Sequence, residues 1–284
     1  MAGRALRILL PVDGSAAAET ILGVVLPLGE RKPLHLELLS VIDDESVRAS
    51  AESYLAKAEE ALKHSGIDVR VENRKGTPAS TIVAHAIATK PDLIAMTTHG
   101  RTGLNRLLMG SVTEEVLRHA PAPLVVSRPG SRMEGWHHVV ALDGSTRAES
   151  ILDDIVPLTR LLGATLHLLH VESRLGTVES HLGIRGPGGW DAPSYLARMS
   201  SYATALGVSV TTAQRQGGAA AEILRYAADV RAGLIAIATH GRSGLERVVM
   251  GSVAEEVLRR SSCPLVLRRQ PGRFVTMAPG AAIA

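Results

Sequence analysis

Short apolar runs alternate with longer Ala-rich or amphipathic stretches along the chain. The runs RILLPV (7–12), LHLELLSV (34–41) and DLIAMTT (92–98) are typical of strands. Residues 46–65 are rich in Ala, Glu, Lys and Leu and predict a helix. The stretch 77–90 also predicts a helix, with Thr at the cap and Pro in the first turn. Strands that alternate with helices indicate a parallel sheet covered on both faces.

The remaining segments of the first half complete this pattern. Helices are predicted over 16–29 and 111–120, a third strand over 67–73 and a fifth strand over 123–127. The crossovers between parallel strands are expected to be right-handed. Each unit of this kind therefore contains five strands, with helices between them.

The whole pattern occurs twice. LRILLPVDGS (6–15) corresponds to HVVALDGS (138–145), and 19 of 29 positions are identical between 98–126 and 239–267. The offset between the copies grows from 130 to 141, which places 11 additional residues before Gly217, best assigned to HLGIRGPGGWDAP (181–193). Such a long period indicates a duplicated domain rather than a solenoid.

These observations predict an α/β protein with two tandem doubly wound domains, each a five-stranded parallel sheet with helices on both faces. The predicted domains span 1–130 and 136–270, and residues 271–284 form a tail without clear periodicity. Aromatic residues make up only 2% of the chain, so Leu, Val, Ile and Ala must form the cores. That composition favours a helix-covered sheet over a sandwich of strands.

Charge and cysteine content narrow the classes of partner. The net charge is +3, but the arginines are spread along the chain, so no basic face for nucleic acid is expected. Cys263 is the single cysteine, which excludes a disulfide within the chain. The apolar run before Asp13 is too short for a signal peptide, and no segment approaches the ~18 apolar residues of a membrane helix. We therefore expect a cytoplasmic protein that binds neither membranes nor nucleic acid.

A glycine-rich stretch follows the fourth strand in both halves. It is HGRTGLNRLLMGS at 99–111 and HGRSGLERVVMGS at 240–252. Ser111 with Glu114 matches the S-x-x-E capping box, and the second copy repeats the match. This pattern predicts that a glycine stands at the start of a helix in each half.

A helix start of this kind is suited to an anion. Its free N–H groups and positive dipole end attract a phosphate, and a glycine lets the phosphate approach the backbone. Arg101 and Arg106 can add positive charge. The alternative is an ordinary cap with ordinary turns. His99 and His240 either contact the phosphate or hold the loop, and we favour the second role.

Asp13 and Asp143 follow the first strand of each half. In the strand order 3-2-1-4-5, strands one and four are neighbours, so one crevice contains both the aspartate and the glycine-rich stretch. The aspartate then suits a ribose hydroxyl or a base amino group, or it caps the following helix. No Walker loop, G-x-G-x-x-G loop or Ser-His-Asp arrangement occurs, and the histidines show no ligand spacing. We predict no catalytic residues and no metal site.

Several of these motifs together resemble the universal stress protein family. They are Gly100 followed by nine residues and Gly110-Ser111, the opening PVDGS, and the closing APAPLVV. The second half repeats the glycine pattern from Gly241 to Gly251. The resemblance covers both halves and implies five-stranded parallel α/β domains with the order 3-2-1-4-5.

The nucleotide-binding branch of that family holds ATP with the motif G-x-x-G, nine residues, G-[ST]. The resemblance implies that the aspartate contacts adenosine, that the valine backbone after strand two contacts adenine, and that the glycines and serine contact phosphates. The implied site residues are Pro11, Val12, Asp13, Val41, Thr97, Gly100, Arg101, Gly110, Ser111, Val112, Leu142, Asp143, Val171, Ala238, Gly241, Arg242, Gly251, Ser252 and Val253. Thr97 and Ala238 replace the first glycine of the motif, and their Cβ atoms narrow the ribose side.

The sequence therefore predicts a stress-response or signalling protein that binds ATP or a related adenine nucleotide, with Mg²⁺ as a candidate companion ion. The sequence shows no residue that is clearly suited to act as a general base for hydrolysis, so we expect an ATPase activity that is slow at most. The alternative is a nucleotide-free scaffold of the same fold that binds proteins. Loss of the first glycine in both halves favours that alternative.

The fifth strands suggest how the halves associate. Pro123 and Pro264 stand at the start of PLVV and PLVL, a position that suits an edge strand. An apolar edge is prone to aggregation unless it is paired. We expect the two fifth strands to pair, so that the molecule is an internal dimer. A homodimer of the whole chain is a further candidate association.

Overall fold

The computed structural model describes residues 4–44, 46, 48–98, 109–172, 191–239 and 250–268. The strands are β1 Leu6–Pro11, β2 Leu34–Ile42, β3 Asp68–Lys75, β4 Leu93–Thr97, β5 Leu124–Ser127, β6 His137–Leu142, β7 Thr165–Glu172, β8 Ser209–Gln216, β9 Leu234–Ala238 and β10 Leu265–Arg268. The α-helices are α1 Ala16–Glu19, α2 Leu22–Val25, α3 Arg48–His64, α4 Pro78–Thr89, α5 Ser111–His119, α6 Thr146–Glu149, α7 Leu152–Leu162, α8 Ala192–Ala205, α9 Ala219–Asp229 and α10 Ser252–Arg260.

All ten strands belong to one sheet with the order β3-β2-β1-β4-β5-β10-β9-β6-β7-β8. Each half has the predicted order 3-2-1-4-5, and its strands are parallel. The halves join where β5 and β10 pair antiparallel, with Val125 opposite Val266. The expected pairing of the fifth strands is therefore present, and it covers the apolar edge of each half.

Helices pack on both faces of this sheet because their apolar residues recur with helical spacing. On one face, α3, α7 and α8 contribute Leu55, Ile155 and Tyr195 to a core that extends across both halves. On the other face, the core includes Ile82 of α4 and Val257 of α10. In α10, Ala254, Val257 and Leu258 are buried, which is the i, i+3, i+4 spacing of an amphipathic helix.

The first predicted helix differs from the structure. Residues 16–29 form α1, α2 and a 3-10 turn over Leu26–Glu30 instead of one helix. The second half is interrupted at the equivalent point, between α6 and α7, but its α7 then continues to Leu162, although Pro157 lies inside it. The first half has Gly23 and Gly29 where the second half has Asp153 and Thr159, and glycine disfavours the helix interior.

The additional segment of the second half falls mostly within 173–190, outside the described residues. Helix α8 begins after Asp191, whose carboxylate accepts a hydrogen bond from Ser194 N at 2.9 Å.

Cys263 is buried just before β10. Within the described ranges, no helix is long and apolar enough to cross a membrane.

Candidate functional site

The turn after the first strand of each half positions an aspartate at the carboxyl end of the sheet. In the second half, Asp143 Oδ1 accepts hydrogen bonds from Ser145 N at 3.0 Å and from Ser145 Oγ at 2.6 Å. Gly144 has a φ of 84°, a left-handed conformation that favours glycine. Ser145, not the aspartate, caps α6, because its Oγ accepts from Ala148 N at 3.1 Å.

The first half repeats this turn. Asp13 Oδ1 accepts from Ser15 N at 3.0 Å and from Ser15 Oγ at 2.6 Å, and Ser15 caps α1. Gly14 has a φ of 76°. The interpretation of the aspartates as helix caps is therefore wrong. They organise the turn, and the serine that they hold caps the helix.

The start of the penultimate helix also differs from the predicted capping box. The N-cap residues of α5 and α10 are Gly110 and Gly251, and neither cap makes a side-chain hydrogen bond. Gly110 N donates to Thr98 O at 2.6 Å, and Gly251 N donates to Thr239 O at 2.5 Å. This bond ties each glycine to the end of the preceding strand, so the following serine becomes the first helical residue.

A glycine cap leaves the helix start without a side-chain acceptor. The first turn of an α-helix has backbone N–H groups with no partner inside the helix, together with the positive end of the dipole. The φ of Gly110 is −65° and that of Gly251 is −73°, values that any residue can adopt. Space is more restrictive than conformation here, since a Cβ at position 110 would lie 3.3 Å from Thr98 O. Both helix starts therefore suit an anion.

A cavity of about 300 Å³ opens at this point in the second half. It lies where β6, β7 and β9 end and α10 begins, which is the switch point of the strand order. Its wall includes all seven implied second-half residues that the structure describes, namely Leu142, Asp143, Val171, Ala238, Gly251, Ser252 and Val253. The other two, Gly241 and Arg242, lie outside the described residues.

Helix α9 supplies part of the wall that sequence reasoning missed. Ala219 and Ile223 line the cavity together with Leu169 and Ile237. The i, i+4 spacing of Ala219 and Ile223 identifies one apolar face of the helix, but it does not show that this face borders a cavity. The contact depends on how α9 packs on β7.

The implied residues of the first half occupy equivalent positions. Pro11 ends β1, Val41 lies near the end of β2, Thr97 ends β4, and Gly110, Ser111 and Val112 open α5; Val12 and Asp13 follow β1 directly. Thr97 is buried, and its carbonyl accepts from Thr113 Oγ1 at 3.0 Å. Gly100, Arg101 and also Arg106 and His99 lie outside the described residues, as does His240.

The cavity wall is mostly apolar and carries one carboxylate. Among the described residues that line it, Asp143 is the only titratable side chain. Behind it lies Tyr195, whose pKa is raised by burial and, to a lesser degree, by the charges of Glu149 and Asp143. Burial also raises the pKa of Glu149, while Arg198 lowers it. This wall can hold an apolar ring and offer one acceptor to a hydroxyl or amino group.

Comparison with known proteins agrees across both halves. The sequence profile of the universal stress protein family matches residues 5–128 and 137–269. A universal stress protein of Methanocaldococcus jannaschii is 40% identical over 86 residues, which cover 30% of this chain and about half (51%) of that protein. A putative universal stress protein of Staphylococcus aureus (strain USA300) is 33% identical over 140 residues, which cover 43% of this chain and 82% of that protein.

Solved structures resemble the full two-domain chain. A universal stress protein from Archaeoglobus fulgidus superimposes with a TM-score of 0.70 at 23% identity, over 93% of this chain and 96% of that one. A functionally unknown protein from Pseudomonas aeruginosa PAO1 gives a TM-score of 0.64 at 19% identity, over 94% and 93% of the two chains. At these identities the likeness shows the fold.

Proposed function

The chain belongs to the universal stress protein family, and from this premise we propose that it is a stress-response or signalling protein that binds an adenine nucleotide, with ATP as the first ligand to test. The observation that carries the proposal is the second-half cavity, which joins an apolar wall, one aspartate and a glycine-capped helix start. Its volume of about 300 Å³ lies at the lower end of the range for small-molecule sites.

These three features match the three parts of a nucleotide. The base packs against the apolar ends of β6, β7 and β9, where it removes apolar surface from water. Asp143 accepts a hydrogen bond from a ribose hydroxyl or from the base amino group. The phosphates lie at the start of α10, where N–H groups and the helix dipole favour negative charge. Mg²⁺ would arrive with the triphosphate.

The second half is proposed as the stronger site. Several equivalent wall positions carry smaller side chains there, with Ala141 in place of Pro11, Ala238 in place of Thr97 and Ala254 in place of Thr113, while Leu142 in place of Val12 is larger. Smaller side chains leave more room for the ribose and base. The first half has the same turn and the same glycine cap, so we expect weaker binding there rather than none.

We propose that hydrolysis is slow at most. A general base must contact the attacking water and have a suitable pKa. Asp143 is the only titratable group in the described part of the wall, and its Oδ1 already accepts two hydrogen bonds from Ser145. A carboxylate with this role orders the turn and binds ligand, and it is poorly placed to accept a proton from water.

The decisive experiment compares ATP binding by wild-type protein, Gly251→Val and Gly110→Val, measured by calorimetric titration. The φ values at both glycines are ones that valine adopts, so the backbone conformation is retained and the added side chain blocks phosphate approach; at position 110 the Cβ also lies 3.3 Å from Thr98 O. We expect Gly251→Val to weaken the tighter ATP site by a factor on the order of 10 or more, since it separates phosphate from the helix start. We expect Gly110→Val to affect the weaker site only.

Gly218→Val is the matched control. Gly218 also caps a helix, α9, with an extended φ of −74°, and a Cβ there meets nothing within 4 Å. It is not part of the cavity wall. The control should bind ATP as the wild type does. Undetectable ATP binding by the wild type, or equal affinity in Gly251→Val, would contradict the proposal and favour the nucleotide-free scaffold.

A further inference from the structure

Three potential metal ligands meet under α4 in the first half. They are Glu37 from β2, Glu72 from β3 and His85 from α4, and one ligand atom of each lies within 4.8 Å of the others. Residues of three separate elements form the cluster, so spacing along the sequence does not reveal it. Their counterparts in the second half do not line the nucleotide cavity, so this cluster is distinct from the proposed nucleotide site.

The histidine of this cluster is fully buried without a hydrogen bond. The side chains of His85 and Glu37 are 0% and 7% exposed. His85 Nε2 lies 2.9 Å from Glu37 Oε1, but the contact is not aligned as a hydrogen bond, and among the described residues neither ring nitrogen has a hydrogen-bond partner. The two groups are close enough for an ion pair, but the ring nitrogens keep hydrogen-bonding capacity that the described residues do not use.

The second half shows what a satisfied version of this site looks like. Strand registers and helix positions equate Glu37, Glu72 and His85 with His167, Ala213 and Tyr226. His167 Nδ1 lies 3.0 Å from Tyr226 Oη, and His167 Nε2 lies 2.9 Å from His137 Nδ1. The second half therefore fills this space with a hydrogen-bonded network. The first half retains two carboxylates and an imidazole.

The contact between His85 and Glu37 is close to what a shared cation needs, because two ligand atoms of a tetrahedral zinc ion stand about 3.4 Å apart and these two atoms stand 2.9 Å apart. A metal ion lies on the lone-pair axis of the ring nitrogen, about 2.0–2.1 Å away, and a carboxylate oxygen lies about 2.0–2.2 Å from the ion. An oxygen on that axis at hydrogen-bond distance would leave no space for the ion. An oxygen displaced from the axis leaves that space.

We propose that Glu37, Glu72 and His85 form a divalent-metal site in the first half, with Zn²⁺ as the preferred ion. Two carboxylates and one imidazole provide three ligands, and zinc accepts such N/O sets with water in the fourth position. Glu72 is 21% exposed on β3, which is an edge strand, so the cluster opens to solvent at the rim of the sheet. The ion can enter there without opening the core.

Two arginines compete with the ion for Glu72. Arg74 Nε donates to Glu72 Oε1 at 2.7 Å, and the Arg70 guanidinium lies 3.7 Å from Glu72 Oε2. To bind zinc, the Glu72 carboxylate must give up at least part of its contact with these arginines. Replacing Arg74 by Gln should therefore strengthen zinc binding severalfold, whereas a purely structural ion pair would give no such gain.

The test uses full-length, tag-free protein and Zn²⁺ alone, with bound metal quantified after equilibrium dialysis. The key variant is the double change Glu37→His with His85→Tyr, which installs the hydrogen-bonded pair of the second half. We expect the wild type to bind one Zn²⁺ per chain and the double variant to bind it more weakly by a factor on the order of 100. Zinc should raise the Tm of the wild type only.

Glu72→Ala provides an independent arm, because it introduces the residue that the second half carries at a partly exposed position. It should fold even if the double variant does not, and it should also weaken zinc binding. Equal zinc binding in the wild type and in Glu72→Ala would assign the ion to surface histidines and overturn the proposal. Absence of zinc binding by the wild type would overturn it as well. Neither result depends on ATP, so the nucleotide proposal is tested separately.

Discussion

The two halves of the molecule share one backbone plan and fill it with different polar groups. Buried His138 of the second half corresponds to Ile8 of the first, and the pair His167–Tyr226 corresponds to Glu37–His85. The strand order is the same in both halves in spite of these changes. The shared apolar pattern therefore maintains the fold, and the individual buried polar residues are free to specialise each half.

The crevice at the carboxyl ends of the strands also differs between the two halves. The turn with its aspartate and the glycine-capped helix start are conserved between the halves, so the polar ends of the site are alike. The walls between them differ, because the first half has Thr97 and Thr113 where the second has Ala238 and Ala254. Among the described residues, the side chains of the wall, rather than the glycine-capped helix starts, distinguish the two crevices.

The largest expected effect is a loss of stability at a point where two backbone segments, at Gly135 and Gly233, lie in close contact. A Cβ at Gly233 would lie 1.8 Å from Gly135 O in the linker between the halves. The equivalent residue of the first half is Asp92, whose carboxylate accepts from Arg7 N at 3.0 Å. Gly233→Ala should lower the free energy of unfolding by roughly 4 kcal/mol or more. The added Cβ forces the backbone at Gly135 and the backbone at Gly233 apart by more than about 1 Å, which disrupts the packing between them. Urea denaturation measures this change.

Gly23→Ala is the control for this prediction. A Cβ at Gly23 meets nothing within 4 Å, and the residue lies in α2. Alanine there should change the free energy of unfolding by less than about 1 kcal/mol, in the stabilising direction. Similar effects of the two substitutions would mean that the linker does not pack tightly against the second half.

A smaller effect should distinguish the halves in acid. Burial, followed by the charges of His137 and His167, lowers the pKa of His138 to about 3 from its usual 6.5. Between pH 6.5 and 3 the His138 imidazole is therefore protonated in the unfolded chain but not in the folded chain. The free energy of unfolding falls as the pH is lowered through this range. His138→Ile, which installs the first-half residue, should remove roughly 3 kcal/mol of this loss at pH 4.

Urea unfolding of the wild type and His138→Ile at pH 7, 5.5 and 4 provides the measurement. The substitution leaves Thr159 Oγ1 with its hydrogen bond to Ile155 O at 2.7 Å, so no new unsatisfied hydroxyl is created. Parallel stability curves for the two proteins would show that His138 is protonated in the folded state. A variant curve that is flatter in acid is the expected outcome.

The smallest effect concerns the cavity wall. Ala238→Thr gives the second half the residue of the first half, and Thr97→Ala makes the reverse change. The larger side chain should reduce ATP affinity about three- to tenfold, or about 1 kcal/mol, because it narrows the ribose side of the cavity. The reverse change should strengthen binding to the first half. Calorimetric titration that shows no change in either variant would remove wall volume as the difference between the sites.

Local patterns predicted most of the secondary structure and failed where longer-range contacts decide. The stretch 16–29 predicts one helix, but the structure interrupts it after Glu19, as it interrupts the second half after Glu149, and ends it in a 3-10 turn that contains Gly29. The S-x-x-E pattern predicts Ser111 as the cap, one residue after the observed cap Gly110, which the bond from Gly110 N to Thr98 O holds in place. That bond joins residues 98 and 110, which are twelve positions apart, and the four-residue S-x-x-E pattern contains no information about it.

The sequence by itself determined the duplication, the alternation of strands and helices, the strand order implied by the family resemblance, and the glycines of the two DGS turns. Periodicity and backbone sterics act on neighbouring residues, so they can be recognised in a single sequence. Only the tertiary structure showed that α9 completes the cavity wall and that Glu37, Glu72 and His85 meet. Contacts of that kind depend on how distant elements pack, and near-identical motifs can be placed in differently shaped surroundings.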